Sequence, residues 1–368
     1  MTTERHWMNR ALELAKLGTY TVSPNPMVGA VVVRDGQVVG EGFHRRAGGA
    51  HAEVEALAQA GSRAVGADLY VTLEPCCVHG RTPPCTDAIR ASRLARVIVG
   101  ATDPNPNVSG RGVATLRDAG VEVVEGIETE QAEWLNRAFN KWITTHTPWV
   151  ILKLAQTLDG KTAASTGKSQ WITSEAMRRH VHELRAAVDA IIVGSGTALS
   201  DDPRLNVRNV NPLFSGGDYT SPVKVVLDST AQLPNTARVF DDGHTIVATS
   251  RASQAAVDRL EQHGAEVLSV PNATGRVALE PLLARLGART PQPVTSVLVE
   301  GGSILAAEMV KLNLVDELRL HVAPKLMGAD GLSGLQTLGV LHPDQCPQLH
   351  IKRTSILGPD IEIVATFR

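Results

Sequence analysis

The sequence predicts an α/β protein built from two domains, and three observations carry that reading. A chain of 368 residues is too long for one core at about 100–200 residues per domain. In both halves, short β-branched runs alternate with segments of helical periodicity. The pattern pauses once, at Thr144-Thr145-His146-Thr147-Pro148, which divides the chain into residues 1–146 and 147–368. With 43% hydrophobic and 20% charged residues, both parts can fill a core, and disorder is excluded as the main state.

The elements follow in order. Apolar groups at Trp7, Met8, Ala11, Leu12, Leu14 and Ala15 predict a helix over 5–18 that stops at Gly18. In VGAVVVRDGQVVGEG, Asp35-Gly36 between two β-branched runs predicts a hairpin. Helices are expected over 51–60, from Thr82 onward, over 110–119 and over 128–144. Strands are expected over 69–73 and 96–100 and at VEVVEG. The second half restarts with WVILKLAQTLDGK, then a helix over 174–187. AIIVGSG, VKVVLDS, HTIVATS, EVLSV and SVLVEGG are apolar strands separated by helical segments, and DELRLHVAPKL and IEIVATFR are late strands. Such alternation predicts a mainly parallel sheet covered on both faces. Residues 211–221, NPLFSGGDYTS, read as a mobile surface loop.

A net charge of −2 gives the whole chain no electrostatic grip on nucleic acid or anionic membrane. The charged start, MTTERHWMNRALELAKLG, lacks the apolar core of a signal peptide, and no stretch of about 18 apolar residues occurs. A cytoplasmic address is expected. Of four cysteines, Cys76, Cys77 and Cys85 fall within ten residues, a spacing that points to metal or catalysis rather than disulfides.

The most informative segment is HAE at residues 51–53 followed by PCC at 75–77 and PPC at 83–85. One imidazole and two thiolates suit tetrahedral Zn²⁺, with a fourth position left for water. Candidate ligands are His51, Cys76 and Cys85, and bound water would ionise near neutral pH. Cys77 remains open as a replacement for Cys76 or as a fourth ligand that would close the site. Glu53 shares a stripe with Ala56, Leu57 and Ala60, so its carboxylate is expected to be buried, raised in pKa and suited to proton transfer. Glu55, on the other face with Gln59, is expected to be solvated. Cys85 opens a helix, a position that favours thiolate. Cys346 is an isolated, inert thiol, and His44 and His79 are expected near substrate or solvent rather than metal.

These motifs resemble the zinc-dependent nucleoside and nucleobase deaminases. That group usually has two residues between its cysteines, whereas eight separate Cys76 from Cys85. The longer loop EPCCVHGRTPPC and the segment TVSPNPMVGAVVV are similar to the bacterial riboflavin-biosynthesis deaminase/reductases. LKLAQTLDGK, SQWITSEAMRRHVHELRAAVDAIIVGSGT, DDPRLNVR and LVEGG extend that resemblance over essentially the whole chain. The resemblance implies a cytidine-deaminase-like layer domain followed by a dihydrofolate-reductase-like domain. It implies hydrolysis of the 2-amino group of a diamino-ribosylamino-pyrimidinone 5′-phosphate, then reduction of the ribosyl group to ribityl with NADPH. By the same resemblance Asn25 would hold the pyrimidine, and His44, Arg81, Asp103 and Asn105 the ribose and phosphate. A guanidinium suits phosphate, but Arg81 reads equally as a solvated loop cation.

In the second half, VGSGTAL has Gly194 and Gly196 but Leu199 where a dinucleotide fingerprint would carry its third glycine. SVLVEGGSILAAEMV is better: a strand, two glycines, then a helix whose amino terminus offers free N–H groups. The resemblance implies that Ala155, Trp171, Thr197, Asp201, Ser229 and the segment Gly302, Ser303, Ile304, Leu305, Ala306, Ala307 and Glu308 contact NADPH. It places Lys153, Ser169, Arg185, Leu205, Arg208 and Glu300 at the sugar phosphate. Nothing in the sequence alone separates NADP from NAD.

Two rival readings weaken against this one. A nucleic-acid-editing deaminase needs a basic groove and stacking aromatics, and aromatic residues are 4% of a slightly acidic chain. A zinc-stapled binding module needs four protein ligands and no room for water. The partner expected is a small phosphorylated pyrimidine substrate, with neither nucleic acid nor membrane, and the protein itself is expected to be a homo-oligomer.

Overall fold

The structure, a computed structural model, describes residues 3–80, 82–208, 210 and 219–367. The chain forms two compact units, residues 1–146 with 211–220, and residues 147–210 with 221–368.

Unit 1 contains α1 (Thr3–Ala15), β1 (Gly29–Arg34), β2 (Gln37–Phe43), α2 (Ala52–Ala60), β3 (Asp68–Leu73), α3 (Cys85–Ala91), β4 (Arg96–Ala101), α4 (Arg111–Asp118), β5 (Glu122–Glu125), α5 (Thr129–Leu135) and α6 (Arg137–Thr145). Its sheet runs β2-β1-β3-β4-β5. β1 pairs antiparallel with β2 and β3, and β3, β4 and β5 are parallel. The hairpin turns at Asp35-Gly36, both with positive φ (52° and 73°), as a two-residue turn between right-twisted strands requires. Period-two alternation splits the strands between two cores. Ala30, Val32, Leu69, Val71 and Val97 face α2, α3 and α4, while Val31, Tyr70 and Ile98 face α1.

α2 lies unusually close to β2. A Cβ at Gly40 would stand 2.1 Å from the Ala56 carbonyl oxygen, and one at Gly42 would stand 2.4 Å from that of Ala52. The helix amino terminus, which carries His51 and Glu53, is thus set by backbone against backbone.

Unit 2 contains β6 (Trp149–Thr157), β7 (Lys161–Ala164), α7 (Glu175–Ala186), β8 (Ala190–Gly194), α8 (Ser195–Asp201), β9 (Val223–Leu227), β10 (Thr245–Thr249), α9 (Gln254–Glu261), β11 (Glu266–Ser269), α10 (Leu279–Gly287), β12 (Ser296–Glu300), α11 (Ser303–Lys311), β13 (Glu317–Ala323), β14 (Gly331–Ser333), β15 (Leu349–Leu357) and β16 (Asp360–Phe367). Nine strands form one sheet in the order β11-β10-β9-β8-β12-β6-β13-β16-β15. The strands from β11 to β13 are parallel, and β16 and β15 are added antiparallel. α10 and α11 cover one face through Leu282, Leu286, Ala306 and Met309. α7 and α9 cover the other through Leu184 and Leu260. The parallel strands all end on one edge, where open α/β sheets bind ligands.

Three expectations change. The helix expected from Thr82 begins at Cys85, because Pro83-Pro84 holds the preceding backbone extended. The helix expected over 128–144 is two helices broken at Asn136, whose buried amide accepts from the Met27 N–H (2.7 Å) and donates to the Met27 carbonyl (2.9 Å). β15 was not expected, since its residues are mostly exposed and show no apolar alternation. The loop expected over 211–221 falls mostly outside the described residues.

The close approach of α2 gives a direct test. Gly40→Ala would force a methyl into the Ala56 carbonyl, an overpacking of about 1–3 kcal/mol. Calorimetry should show the melting temperature lowered by roughly 3–10 °C.

Candidate functional site

His51 caps the amino terminus of α2 with extended backbone (ψ 160°), Cys76 lies just beyond the end of β3, and Cys85 is the first residue of α3. The three meet although 25 and 34 residues separate His51 from the cysteines. His51 Nδ1 lies 3.2 Å from Cys85 Sγ and 3.5 Å from Cys76 Sγ, and all three donor atoms lie within 4.8 Å of one another. Zn–S and Zn–N bonds of about 2.3 and 2.05 Å in a tetrahedron separate sulfur from nitrogen by about 3.5 Å, so the donor set fits zinc. The Cys85 N–H points at Cys76 Sγ (3.3 Å). Hydrogen bonding from Cys85, joined by His51, draws Cys76 down to about 4, and the same pairing pushes the Cys85 thiol up. Two sulfurs left sharing a proton are what a divalent cation would satisfy. Cys77 stands outside this cluster among the described residues. All four cysteines are free.

Glu53 is 3% exposed, and burial pushes its carboxyl up. Glu55 departs from expectation: it is half-buried and paired with the Arg45 Nε at 2.9 Å, because α2 lies over the loop after β2. Beside His51, the buried His44 ring is held from both sides. Its Nδ1–H donates to the Ala50 carbonyl (2.9 Å), which leaves Nε2 to accept from the Asn25 amide (3.0 Å). Burial lowers its pKa, in keeping with this neutral form. The Asn25 amide nitrogen is thereby committed and its carbonyl oxygen remains for a ligand. Asp103 is 7% exposed and pushed up to about 6 by burial, against the Asn105 N–H that donates to it. Arg81 lies outside the described residues.

In unit 2, Lys153 and Glu300 are register partners on neighbouring strands. Arg185 of α7 grips Glu300 with both guanidinium arms, at 2.6 and 3.0 Å. Burial would raise Glu300, but the Arg185 charge and hydrogen bonds outweigh it and bring it to about 2. Burial lowers Lys153, opposed by Glu300. Arg185 also donates to the Asn206 carbonyl, which sets the backbone between buried Leu205 and exposed Arg208. Ser169 is half-buried, and Trp171 is exposed under the Arg178 guanidinium.

A cavity of about 650 Å³ opens at the ends of β8, β9 and β12. Thr197, Ser229, Gly302, Ser303, Ile304, Leu305 and Glu308 line it. Ala155, Trp171, Asp201, Ala306 and Ala307 do not; Ala306 and Ala307 of α11 are buried, Ala306 in the core under the helix. Gly301 and Gly302 have φ of 98° and 75°, and a Cβ on either would come within 2.9 or 3.4 Å of Thr197. The bare turn leaves the start of α11 open to a phosphate.

Comparisons with known proteins agree with this geometry. Residues 1–101 match the cytidine and deoxycytidylate deaminase zinc-binding region, and residues 148–363 match the RibD C-terminal domain. The riboflavin biosynthesis protein RibD of Escherichia coli is 42% identical over 366 residues, covering 97% of this chain and 98% of that one. This chain belongs to the RibD family. RibD of Aquifex aeolicus is also 42% identical, over 98% of this chain and 97% of its own. A solved structure of Acinetobacter baumannii RibD superposes with TM-score 0.89 at 38% identity, covering 100% and 99% of the two chains. The Thermotoga maritima diaminohydroxyphosphoribosylaminopyrimidine deaminase/5-amino-6-(5-phosphoribosylamino)uracil reductase superposes with TM-score 0.84 at 36% identity over the same shares. The chain is a bifunctional enzyme of riboflavin biosynthesis, a deaminase joined to a reductase. The RibD family pairs a zinc-binding deaminase half with an NADPH-dependent reductase half. Among the described residues no helix is long and apolar enough to cross a membrane.

Sequence reasoning about this RibD chain missed Glu74. It is 3% exposed, and its two oxygens accept from four backbone N–H groups: Asp103, Gly110, Gly112 and Val113, at 2.9–3.2 Å. It thereby ties the strand end that carries Cys76 to the loop that carries Asp103 and Asn105. Its only sequence signal was a carboxylate placed between a buried strand and Pro75. A second donor cluster, His180–His321–Glu362, is no metal site. Arg319 and Arg353 already bind Glu362, at 3.1 and 2.8 Å, and two guanidiniums repel a cation.

Glu74→Gln keeps the shape but turns an NH₂ toward N–H donors. Losing bonds of this charged kind should remove about 2–4 kcal/mol of stability, measured by denaturation, and raise the deaminase KM several-fold. Unchanged stability would show that the loop holds itself.

Proposed function

We propose that unit 1 performs the hydrolytic deamination, with His51, Cys76 and Cys85 as zinc ligands and Glu53 as the proton carrier. The observation that carries this reading is the three-donor cluster closing to 3.2–3.5 Å with the buried Glu53 carboxyl in the first turn of the helix that His51 caps. The substrate is 2,5-diamino-6-ribosylamino-4(3H)-pyrimidinone 5′-phosphate. Its exocyclic C2–N bond breaks, a C–O bond from water forms, and ammonia leaves. Zinc, when bound, supplies a Lewis acid that makes water nucleophilic near neutral pH. Glu53 accepts a proton from the attacking water and returns it to the departing amine, a task that suits a carboxyl raised toward neutrality by burial. Asn25 presents its carbonyl oxygen to the pyrimidine because His44 holds its amide nitrogen. Asp103 and Asn105 suit ribose hydroxyls, and Arg81 suits the phosphate.

Unit 2 then uses the cavity at Gly302 for NADPH and the Lys153–Glu300–Arg185 group, with Ser169, Leu205 and Arg208, for the sugar phosphate. A hydride goes to ribose carbon 1, the bond from that carbon to the ring oxygen opens, and a proton goes to that oxygen. The bare double-glycine turn supports the cofactor end. Arg185 is bound to Glu300, so it orients that carboxylate, while exposed Arg208 is the freer cation for a phosphate. A cytoplasmic address is supported by the free thiols clustered at the zinc site. A homo-oligomer is supported by the exposed Ile351, Ile356 and Ile361 on β15 and β16 at the edge of the sheet.

Cys76→Ser should lose zinc, read by metal analysis, and release no ammonia. The same variant should still oxidise NADPH when given deaminated substrate; equal loss of both activities in a folded protein would overturn the division of labour. Glu53→Gln should keep its zinc and lose deamination by about 10²–10⁴-fold, since an amide cannot carry the proton. Near-normal ammonia release from that variant would remove Glu53 from the reaction.

A further inference from the structure

The cavity at the Gly301–Gly302 turn continues across the sheet edge, and its far end differs in chemistry from its near end. Its lining passes from the ends of β12 and β8 to Ser229 after β9, then to Asn272 and Arg276 in the loop after β11. Strands about 4.8 Å apart put that loop well beyond the glycine turn. Among the described residues that line the cavity, Arg276 is the one cation, and Glu280 and Glu308 are the anions.

Arg276 has a neighbour of the same charge. Arg251, in the loop after β10, lies against Gly275, with Cδ 3.7 Å and Nη1 3.9 Å from where a Cβ would stand. The two loops are tied together by Ser250 Oγ, which donates to the Gly275 carbonyl (2.5 Å), while the Arg251 N–H donates to the Ser229 carbonyl (2.9 Å) of the loop after β9. Asn272 Oδ1 accepts from the Arg276 and Thr274 N–H groups (2.9 Å each), which fixes the turn that presents Arg276. Neither guanidinium has a carboxylate or side-chain hydrogen-bond partner among the described residues, whereas Arg185, Arg289 and Arg319 of the same unit are all paired. Arg276 lines the cavity and Arg251 lies against the residue before it, so two guanidiniums without carboxylate partners are offered from adjoining loops, and both suit a dianion that takes several N–H donors.

We infer that Arg276 and Arg251 bind the 2′-phosphate of the adenosine ribose and make this reductase choose NADPH over NADH. The inference rests on the reading that the cavity takes the dinucleotide. With the diphosphate at the glycine turn, the adenosine ribose extends along the strand ends toward β10 and β11. NADPH carries a phosphomonoester there and NADH a hydroxyl, so the cationic pair acts on the one group that distinguishes them.

The test is binding by calorimetry, without turnover, of NADPH, NADH, 2′,5′-ADP and 5′-AMP to the full chain. Arg276→Ala and Arg251→Ala should each weaken NADPH and 2′,5′-ADP about tenfold or more, the loss of a charge-assisted contact, and leave NADH and 5′-AMP within about twofold. Arg276→Lys should recover part of the loss. Both arginines are exposed, so melting temperatures should hold. Equal weakening of NADPH and NADH, or no weakening of either, overturns the 2′-phosphate assignment. Gly302→Val, checked for folding, separates the two readings. If it weakens both dinucleotides while the arginine variants do not discriminate, the cavity stands and the phosphate assignment fails. If a folded Gly302→Val binds both normally, the cavity reading itself fails.

Discussion

Two sulfur atoms and an imidazole nitrogen crowded within 4.8 Å compete for the same protons, and unit 1 is organised around holding them there. The chain does not bring them together through their own attraction. β3 delivers Cys76 at its carboxyl end, α3 delivers Cys85 at its amino end, and α2 delivers His51 as its cap. Each is placed by packing elsewhere: α2 by its backbone approach to β2, and Cys76 by the Glu74 carboxylate just before it. The strain of crowded donors is thus carried by a rigid frame, the condition for a metal site whose fourth position stays open.

Unit 2 meets a different constraint. Its sheet carries Lys153, Glu300, Arg319, His321 and Glu362 where a doubly covered sheet usually carries apolar side chains. Buried charge is tolerated only when compensated. Glu362 is compensated by His180, Arg319 and Arg353, which hold it between β13 and β16. Glu300 is compensated by Lys153 and Arg185, and it is the last residue of β12. The first network is a strut, and the second can offer its charges to a ligand.

The clustering of His51, Cys76 and Cys85 was legible in the sequence because metal-ligand chemistry demands residue types at fixed places, and the burial of Glu53 because a carboxylate on an apolar stripe is conspicuous. The parallel sheet was legible from β-branched runs alternating with helical periods. Glu74 was not, since its four partners are backbone N–H groups and carry no residue code. Asn136 was hidden for the same reason: its amide pairs with the Met27 backbone, and nothing in the helical period marks the break. β15 escaped because an edge strand exposed along its length needs no alternation. Arg276 and Arg251, 25 residues apart, carry no shared motif, and only the fold sets their loops side by side.

The two units divide recognition differently. In unit 1 the proposed site is made of side chains whose hydrogen-bonding state is set by burial and by one another, as with His44 and Asn25 or Cys76 and Cys85. Such a site selects by hydrogen-bond pattern, and a wrong donor or acceptor leaves a buried group unpaired. In unit 2 the proposed dinucleotide end is bare backbone, a glycine turn and a helix start, which suit a diphosphate without reading the rest of a molecule. Selectivity there has to come from groups beyond the turn. Loops at the ends of outer strands are free to supply them, because no core packing depends on their side chains. That is why a pair of unpaired arginines at the rim, rather than anything in the glycine turn itself, is the place in this fold where one nicotinamide cofactor can be told from the other.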